Sequence, residues 1–187
     1  GLMEGDKVLN NRSFAQQCLN LVDATVCKDQ LNSSIASLEY GGWDSHRDQR
    51  DKLDQRFSDI FSNDGGLAQT HRVMAEVAPE VEAQSTWMIS GEFGRQLRAN
   101  GDGGTDHGRG NSVLLIGQQV KGGLYGDLFP SAELDVFDQP GKDILGQTEI
   151  EPLLAKLCDW LKPSSASSVI PQSTTRKIES GNSLDVV

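Results

Sequence analysis

The sequence lacks an excess of basic residues, a long apolar run and an even number of cysteines. Its 17 Lys and Arg residues are outnumbered by 27 Asp and Glu residues, for a formal net charge of −10. Nucleic acids and anionic membranes bind clustered cations, so the composition argues against both as partners. No stretch approaches the roughly 18 apolar residues of a membrane span. We expect neither a nucleic-acid partner nor a membrane span.

Two other patterns are missing, and the cysteines point to no disulfide within the first predicted helix. The opening residues lack the charged and then apolar segment of an export signal, so we expect a soluble chain that is mature or cut from a longer protein. The glycine runs are not set in the strand-turn-helix context of a phosphate loop or dinucleotide fingerprint. Cys18, Cys27 and Cys158 are odd in number, and Cys18 and Cys27 lie about half a turn apart in one predicted helix. We expect buried, unreactive thiols.

The apolar spacing alternates between helical and strand patterns. The predicted helices cover residues 11–30, a segment containing Leu53, Phe57, Ile60 and Phe61, a segment with Leu67, Met74, Val77 and Val81 on one side that weakens or ends near Pro79, and Thr148 to about Lys162. Thr148 and Glu151 are spaced as a capping box. The predicted strands are Ser34–Tyr40, Ser85–Ser90 and Ser112–Gly117. This order predicts an α/β domain with a central, mostly parallel sheet flanked by helices.

About three strands are few for such a sheet, so we expect more of it in an N-terminal half upstream of Gly1 or in a partner chain. We assign residues 1–162 to the domain and expect residues 163–187 to be an extended or disordered tail.

Asp44 and His46 follow the first predicted strand in "WDSH". In one interpretation, Asp44 or Ser45 caps the following helix and Asp48 completes a capping box. In the other, the carboxylate and the imidazole bind one divalent ion. The two interpretations are compatible, because Ser45 can cap the helix while its neighbours bind metal.

Asp106 and His107 lie in the glycine-rich stretch "GGTDHGRG" after the second predicted strand. Adjacent side chains reach one ion only from irregular backbone, which the glycines allow, although a polar surface turn has the same composition. Two of the three histidines therefore sit beside an aspartate near a strand end, which favours a shared metal site. The third, His71, has no nearby acidic motif, and we expect it at the surface or half-buried in a helix.

Three further charged residues lie near these predicted ligands. Glu92 and Arg95 in "GEFGR" form either a structural ion pair or an anion site, in which Arg95 binds an oxyanion and Glu92 orients it or touches the metal. Lys121 after the third predicted strand is either a second cation for that anion or a turn residue.

Two segments in this order, "GGWDSHRDQ" and "ISGEFGRQLRANGDGGTDHGRGNSVLLIGQQVKGGLYGD", resemble the bacterial family known as domain of unknown function 1501. That family is usually exported by the twin-arginine route and is grouped with the alkaline phosphatase and sulfatase superfamily. The resemblance implies a periplasmic or exported protein and an alkaline-phosphatase-like fold. It also implies that Asp44, His46, Asp106 and His107 are metal ligands.

The implied function is metal-dependent hydrolysis of a small phosphate or sulfate ester, with zinc or manganese preferred to calcium or magnesium because imidazole is present. Three departures from the superfamily pattern count against activity: the close spacing of Asp44 and His46, the absence of a histidine after His107, and a nucleophile expected in an N-terminal half. The alternatives are a non-catalytic periplasmic binding or assembly protein on the same scaffold and a structural fragment stabilised by partner chains.

Overall fold

The computed structural model describes residues 12–127, 129–134, 139, 143–146, 148–172 and 184–187. In these ranges the helices are α1 (Arg12–Val26), α2 (Lys28–Leu31), α3 (Gln49–Phe61), α4 (Gly66–Val77), α5 (Pro79–Glu82), α6 (Ser131–Leu134), α7 (Ile150–Leu161) and α8 (Ala166–Val169), and the strands are β1 (Thr86–Ser90), β2 (Gly94–Ala99), β3 (Thr105–Gly108) and β4 (Val113–Gly117). Contacts divide the chain into two compact units, the first Gly1–Ser85 with Asn100–Gly104 and the second Thr86–Ala99 with Thr105–Val187.

The first unit is helical, with α4 packed against α1, α3 and α5. Phe14, Cys18 and Val22 recur every four residues on α1 and are buried, as the helical spacing predicts. Gly66 at the start of α4 lets this face approach, because a Cβ there would lie 2.6 Å from Phe14 Cε1. One turn later, the hydroxyl of the fully buried Thr70 donates to the Gly66 carbonyl. The α1–α4 contact therefore forms the centre of this unit.

The second unit contains two separate two-stranded sheets. β1 pairs with β4 in antiparallel register from Thr86 opposite Gly117 to Ser90 opposite Val113. β2 pairs with β3, also antiparallel, with Arg95 opposite His107 and Ala99 opposite Thr105. The helices of this unit include α7 and α8, which contact each other. No described helix is long and apolar enough to cross a membrane.

The predicted central, mostly parallel sheet is therefore wrong. The apolar runs of β1 and β4 were correctly assigned as strands, but apolar runs alone specify neither the partner nor the direction of a strand. The two strands pair with each other, and the polar segment between them, predicted as a loop, forms β2 and β3. The sequence signal for β2 is weak because it carries Arg95, Gln96 and Arg98.

The predicted strand Ser34–Tyr40 is also wrong, because this segment has no strand structure. The backbone N–H and carbonyl of Glu39 bond to the Gln17 side chain and not to a neighbouring strand. The Gln17 amide donates to the Glu39 carbonyl at 2.8 Å, and the Glu39 N–H donates to the Gln17 side-chain oxygen at 2.6 Å. Ile35 is 77% exposed, so the apolar character of the segment reflects no buried strand.

Several helix boundaries also differ from the predictions. The helix predicted over residues 11–30 is interrupted at Cys27, which is exposed, whereas Cys18 is buried as expected; Asn11 lies outside the described residues.

α7 has Glu149 at its N-cap without a side-chain cap, so the predicted capping box is absent. The boundary at residue 162 stays a prediction. α8 and Leu184–Val187 lie beyond it, and residues 173–183 are outside the described ranges.

Tyr40 ends the segment of residues 34–40 and connects it to α3 through Asp59. Its hydroxyl donates to Asp59 Oδ2 at 2.5 Å, and Gln55 donates to Asp59 Oδ1 at 2.8 Å. Burial raises the Tyr40 pKa to about 12, and the hydrogen bond and charge of Asp59 act in the same direction. Protonated Tyr40 is therefore the form that the fold stabilises.

This raised pKa predicts that stability falls as pH increases from 10 to 12. In that window folded Tyr40 keeps a proton that the unfolded chain has lost, so the free energy of unfolding decreases with pH. The Tyr40→Phe variant should show a shallower decrease in urea unfolding measured across this range. Equal slopes for wild type and Tyr40→Phe would show that Tyr40 does not cause the decrease.

Candidate metal site

Asp44 and His46 lie together in the first unit, in the segment that leads into α3. Asp44 Oδ1 is 3.1 Å from His46 Nε2, and the two side chains are 51% and 44% exposed. Ser45 between them is 2% exposed, which is the alternation expected of extended backbone. The Trp43 ring, before the pair, packs edge-on against Phe57 of α3 at 5.4 Å between centroids. The pair is thus presented to solvent from an anchored segment.

The spacing of the pair fits two ligands of one divalent ion. Two donors at about 2.0–2.2 Å from an ion, separated by angles of about 90–110°, lie roughly 3.0–3.5 Å apart. The same distance suits a hydrogen bond between the imidazole and the carboxylate. Asp44 and His46 therefore fit two coordination positions, and other donors would have to fill the rest.

The predicted side-chain cap of α3 by Asp44 or Ser45 is wrong. The N-cap is Asp48, at φ 49° and without a side-chain cap, and the Ser45 hydroxyl instead donates to the Trp43 carbonyl at 3.4 Å. Carbonyl groups of the Asn100–Gly104 loop accept from this end of the helix: Asp48 N–H donates to Asp102 O at 3.3 Å and Gln49 N–H to Gly103 O at 2.9 Å. Sequence reasoning missed this because the loop is distant in the chain.

Asp106 and His107 lie in the second unit on β3, so the premise of an irregular loop is wrong for this pair. Adjacent residues of a strand project to opposite faces. His107 is the register partner of Arg95, and its ring stacks on Phe93 with 4.0 Å between centroids and 22° between planes. Both Asp106 and His107 are exposed. Their roles as metal ligands stay predictions. Because the two side chains project to opposite faces of β3, each is a separate candidate ligand.

The predicted anion-binding cations are engaged with oxygen atoms of this chain. Arg95 donates from Nη1 to the Thr105 carbonyl at 2.7 Å, and its guanidinium carbon lies 5.4 Å from the centre of the Phe93 ring. Glu92 is exposed in the turn before β2. Lys121 forms a 2.6 Å ion pair with Asp185, and this hydrogen bond and charge lower the Asp185 pKa. Anion binding at either cation would therefore compete with an internal contact.

His71 has an acidic neighbour that the sequence did not reveal. It is half-buried on α4, as expected, but its Nδ1 lies 3.1 Å from Glu82 Oε1. Because the helix breaks at Ala78, α5 is a separate short helix that carries Glu82. The sequence signal that could have indicated this contact was Pro79, which favours a new helix start, followed by Glu80 and Glu82. His71 is therefore part of a helix–helix contact in the first unit.

The candidate residues are all within the part of the chain that defines its family. Residues 2–138 match the family described as Protein of unknown function (DUF1501). This is more than half of the 187 residues, and the chain belongs to that family. No curated protein and no solved structure matches the chain. The match contains Asp44, His46 and Lys121, whereas Asp185 lies beyond it.

Proposed function

We propose that this chain binds a divalent metal ion, zinc or manganese in preference to calcium or magnesium, as part of a phosphate- or sulfate-ester hydrolase. The observation that carries the proposal is the exposed Asp44–His46 pair, with donor atoms 3.1 Å apart. An imidazole nitrogen combined with a carboxylate oxygen favours zinc and manganese over calcium and magnesium. Asp44 and His46 would hold the ion.

A bound ion of this kind would polarise a phosphoryl or sulfuryl oxygen and lower the pKa of a nucleophile. The chain's own residues would bind and orient the ester. Arg95 has the planar fork that suits an oxyanion, and its position beside the Phe93 ring restricts the directions in which that fork can point. We propose that the nucleophile comes from residues outside this chain.

Asp106 and His107 remain proposed ligands on the sequence pattern and the family resemblance. Their places on β3 refine the proposal, because adjacent strand residues face opposite ways. An ion bound at β3 is therefore expected to depend on one of these side chains and not on both. Separate Asp106→Ala and His107→Ala variants, each titrated with zinc, identify which side chain contributes.

The second candidate function is a non-catalytic binding or assembly protein on the same scaffold. A specific observation favours it: Lys121, proposed to bind an anion, is paired with Asp185 at 2.6 Å, and Arg95 donates to a backbone carbonyl. A periplasmic or exported location is part of both candidates and rests on the family resemblance.

The effect of zinc on anion binding separates these candidates, because neither candidate predicts turnover by this chain alone. We expect the 187-residue chain to bind phosphate or sulfate weakly, and to hydrolyse neither an aryl phosphate nor an aryl sulfate when zinc, manganese or calcium is added. The physical reason is that metal-assisted hydrolysis also needs a positioned nucleophile. The measurement is release of the aryl alcohol, with a metal-free sample as the control.

Turnover by the isolated chain that is lost on His46→Ala would show that the nucleophile lies within these residues. Zinc binding that leaves the anion affinity unchanged, without hydrolysis, would favour the non-catalytic candidate instead. Anion binding strengthened by zinc supports the proposed metal-dependent function.

A further inference from the structure

Asn100 makes a contact to the candidate metal site that the sequence pattern does not suggest. Its side-chain Nδ2 donates to the backbone carbonyl of His46 at 2.8 Å, across 54 positions in the chain. The same side chain organises its own loop, because Oδ1 accepts from Asp102 N–H at 3.0 Å and Gly104 N–H at 3.3 Å. One carboxamide thus fixes the loop and attaches it to His46.

The loop closes on itself and lies against the backbone of His46 and Arg47. Asn100 N–H donates to the Gly104 carbonyl at 2.9 Å, and Gly103 forms a bridge with Arg47. A Cβ at Gly104 would lie 2.3 Å from the His46 carbonyl carbon, so only glycine permits this approach. Gly101 and Gly103 adopt φ of 93° and 74°, conformations that glycine favours. These three glycines therefore allow the turn that places the Asn100–Gly104 loop against His46.

We propose that Asn100 is the positioning residue of the metal site: its Nδ2–His46 carbonyl bond holds the His46 imidazole beside the Asp44 carboxylate. This role rests on the metal site proposed above. Asn100 acts through the His46 backbone and does not bind the ion. Its effect resembles that of groups that orient metal ligands from outside the coordination sphere, whose loss typically lowers metal affinity about 10–100-fold.

Asn100→Asp keeps the Oδ1 acceptor for the loop, removes the N–H donor to His46 and puts an oxygen that repels the His46 carbonyl in its place. The added negative charge would by itself attract a cation, so a lower affinity cannot be attributed to charge. Asn111→Asp is the matched control: Asn111 donates to Gly91 O at 3.2 Å and accepts from Ser112 N–H at 2.8 Å in the second unit. Both variants have the same net charge.

The experiment uses a Cys27→Ser background, because the exposed Cys27 thiol can itself bind zinc. It measures zinc affinity by calorimetry and, in metal-free protein, the nuclear Overhauser contact between the His46 ring and the Asp44 methylene protons. Asn100→Asp should bind zinc about 10–100-fold more weakly and lose this contact, whereas Asn111→Asp should match wild type. Hydrogen exchange at the Gln49 amide, which bonds to Gly103 O, should stay at its wild-type rate and show that the loop remains docked.

Wild-type zinc affinity together with an unchanged His46–Asp44 contact in Asn100→Asp would overturn the role. A loss of affinity that accompanies faster exchange at Gln49 would also overturn it, since Asn100 would then only stabilise the loop. If Asn100→Asp does not fold, Asn100→Ser replaces it, because a serine hydroxyl accepts from the residue two positions on and is too short to reach His46. If wild-type protein binds no zinc, the proposed function fails, and the metal-free contact still decides whether Asn100 positions His46.

Discussion

Replacing His46 by alanine should lower the affinity of the chain for zinc by about 100-fold or more, because it removes a direct ligand whereas the loss of an orienting group already costs about 10–100-fold. The remaining Asp44 carboxylate is half-exposed and would retain only weak binding. The measurement is calorimetric titration of protein freed of metal by a chelator. A Cys27→Ser background is needed, since Cys27 is an exposed thiol and thiolates bind zinc.

The matched control is His71→Ala, which removes the imidazole that pairs with Glu82. Its zinc affinity should remain within about twofold of the parent, a difference of less than 1 kcal/mol. Equal losses in the two variants would show nonspecific histidine binding. A His46→Ala variant with unchanged affinity would remove His46 from the site.

Replacing Gly104 by alanine should destabilise the first unit by about 3 kcal/mol, the contribution of the hydrogen bonds that undocking the loop would break. The added Cβ would meet backbone atoms of His46, which cannot move aside as a flexible side chain can. Undocking the loop would break the Asn100–His46, Asp48–Asp102 and Gln49–Gly103 hydrogen bonds, and each contributes about 1 kcal/mol. Urea unfolding measures the stability change, and hydrogen exchange at Gln49 locates it.

Gly41→Ala is the matched control for Gly104→Ala, since no atom lies within 4 Å of a Cβ placed at Gly41. It should change the free energy of unfolding by less than about 1 kcal/mol. A Gly104→Ala variant as stable as Gly41→Ala would show that the loop does not require a glycine against His46.

The sequence predicted local elements better than their arrangement. α3 and α4 follow from apolar residues at helical spacing, and β1 and β4 from short apolar runs. The pairing of β1 with β4 depends on contacts between distant parts of the chain, which an apolar run does not encode. β2 carries polar residues and was therefore missed.

The candidate site shows the same division. The Asp44–His46 pair was predicted from residues two positions apart, and the structure places the two side chains together. The backbone contact from Asn100 spans 54 positions and leaves no spacing signal. For Asp106 and His107, glycine content suggested a loop, whereas pairing with β2 makes the segment a strand. Local composition could not anticipate that pairing.

The most direct test of the Asp44–His46 metal site is the zinc X-ray absorption spectrum of the Cys27→Ser chain loaded with one equivalent of zinc. Binding of zinc by Asp44 and His46 predicts nitrogen and oxygen donors at about 2.0–2.2 Å from the ion, with an imidazole scattering signal that decreases in His46→Ala. Sulfur donors at about 2.3 Å, or an imidazole signal that is unchanged in His46→Ala, would contradict it.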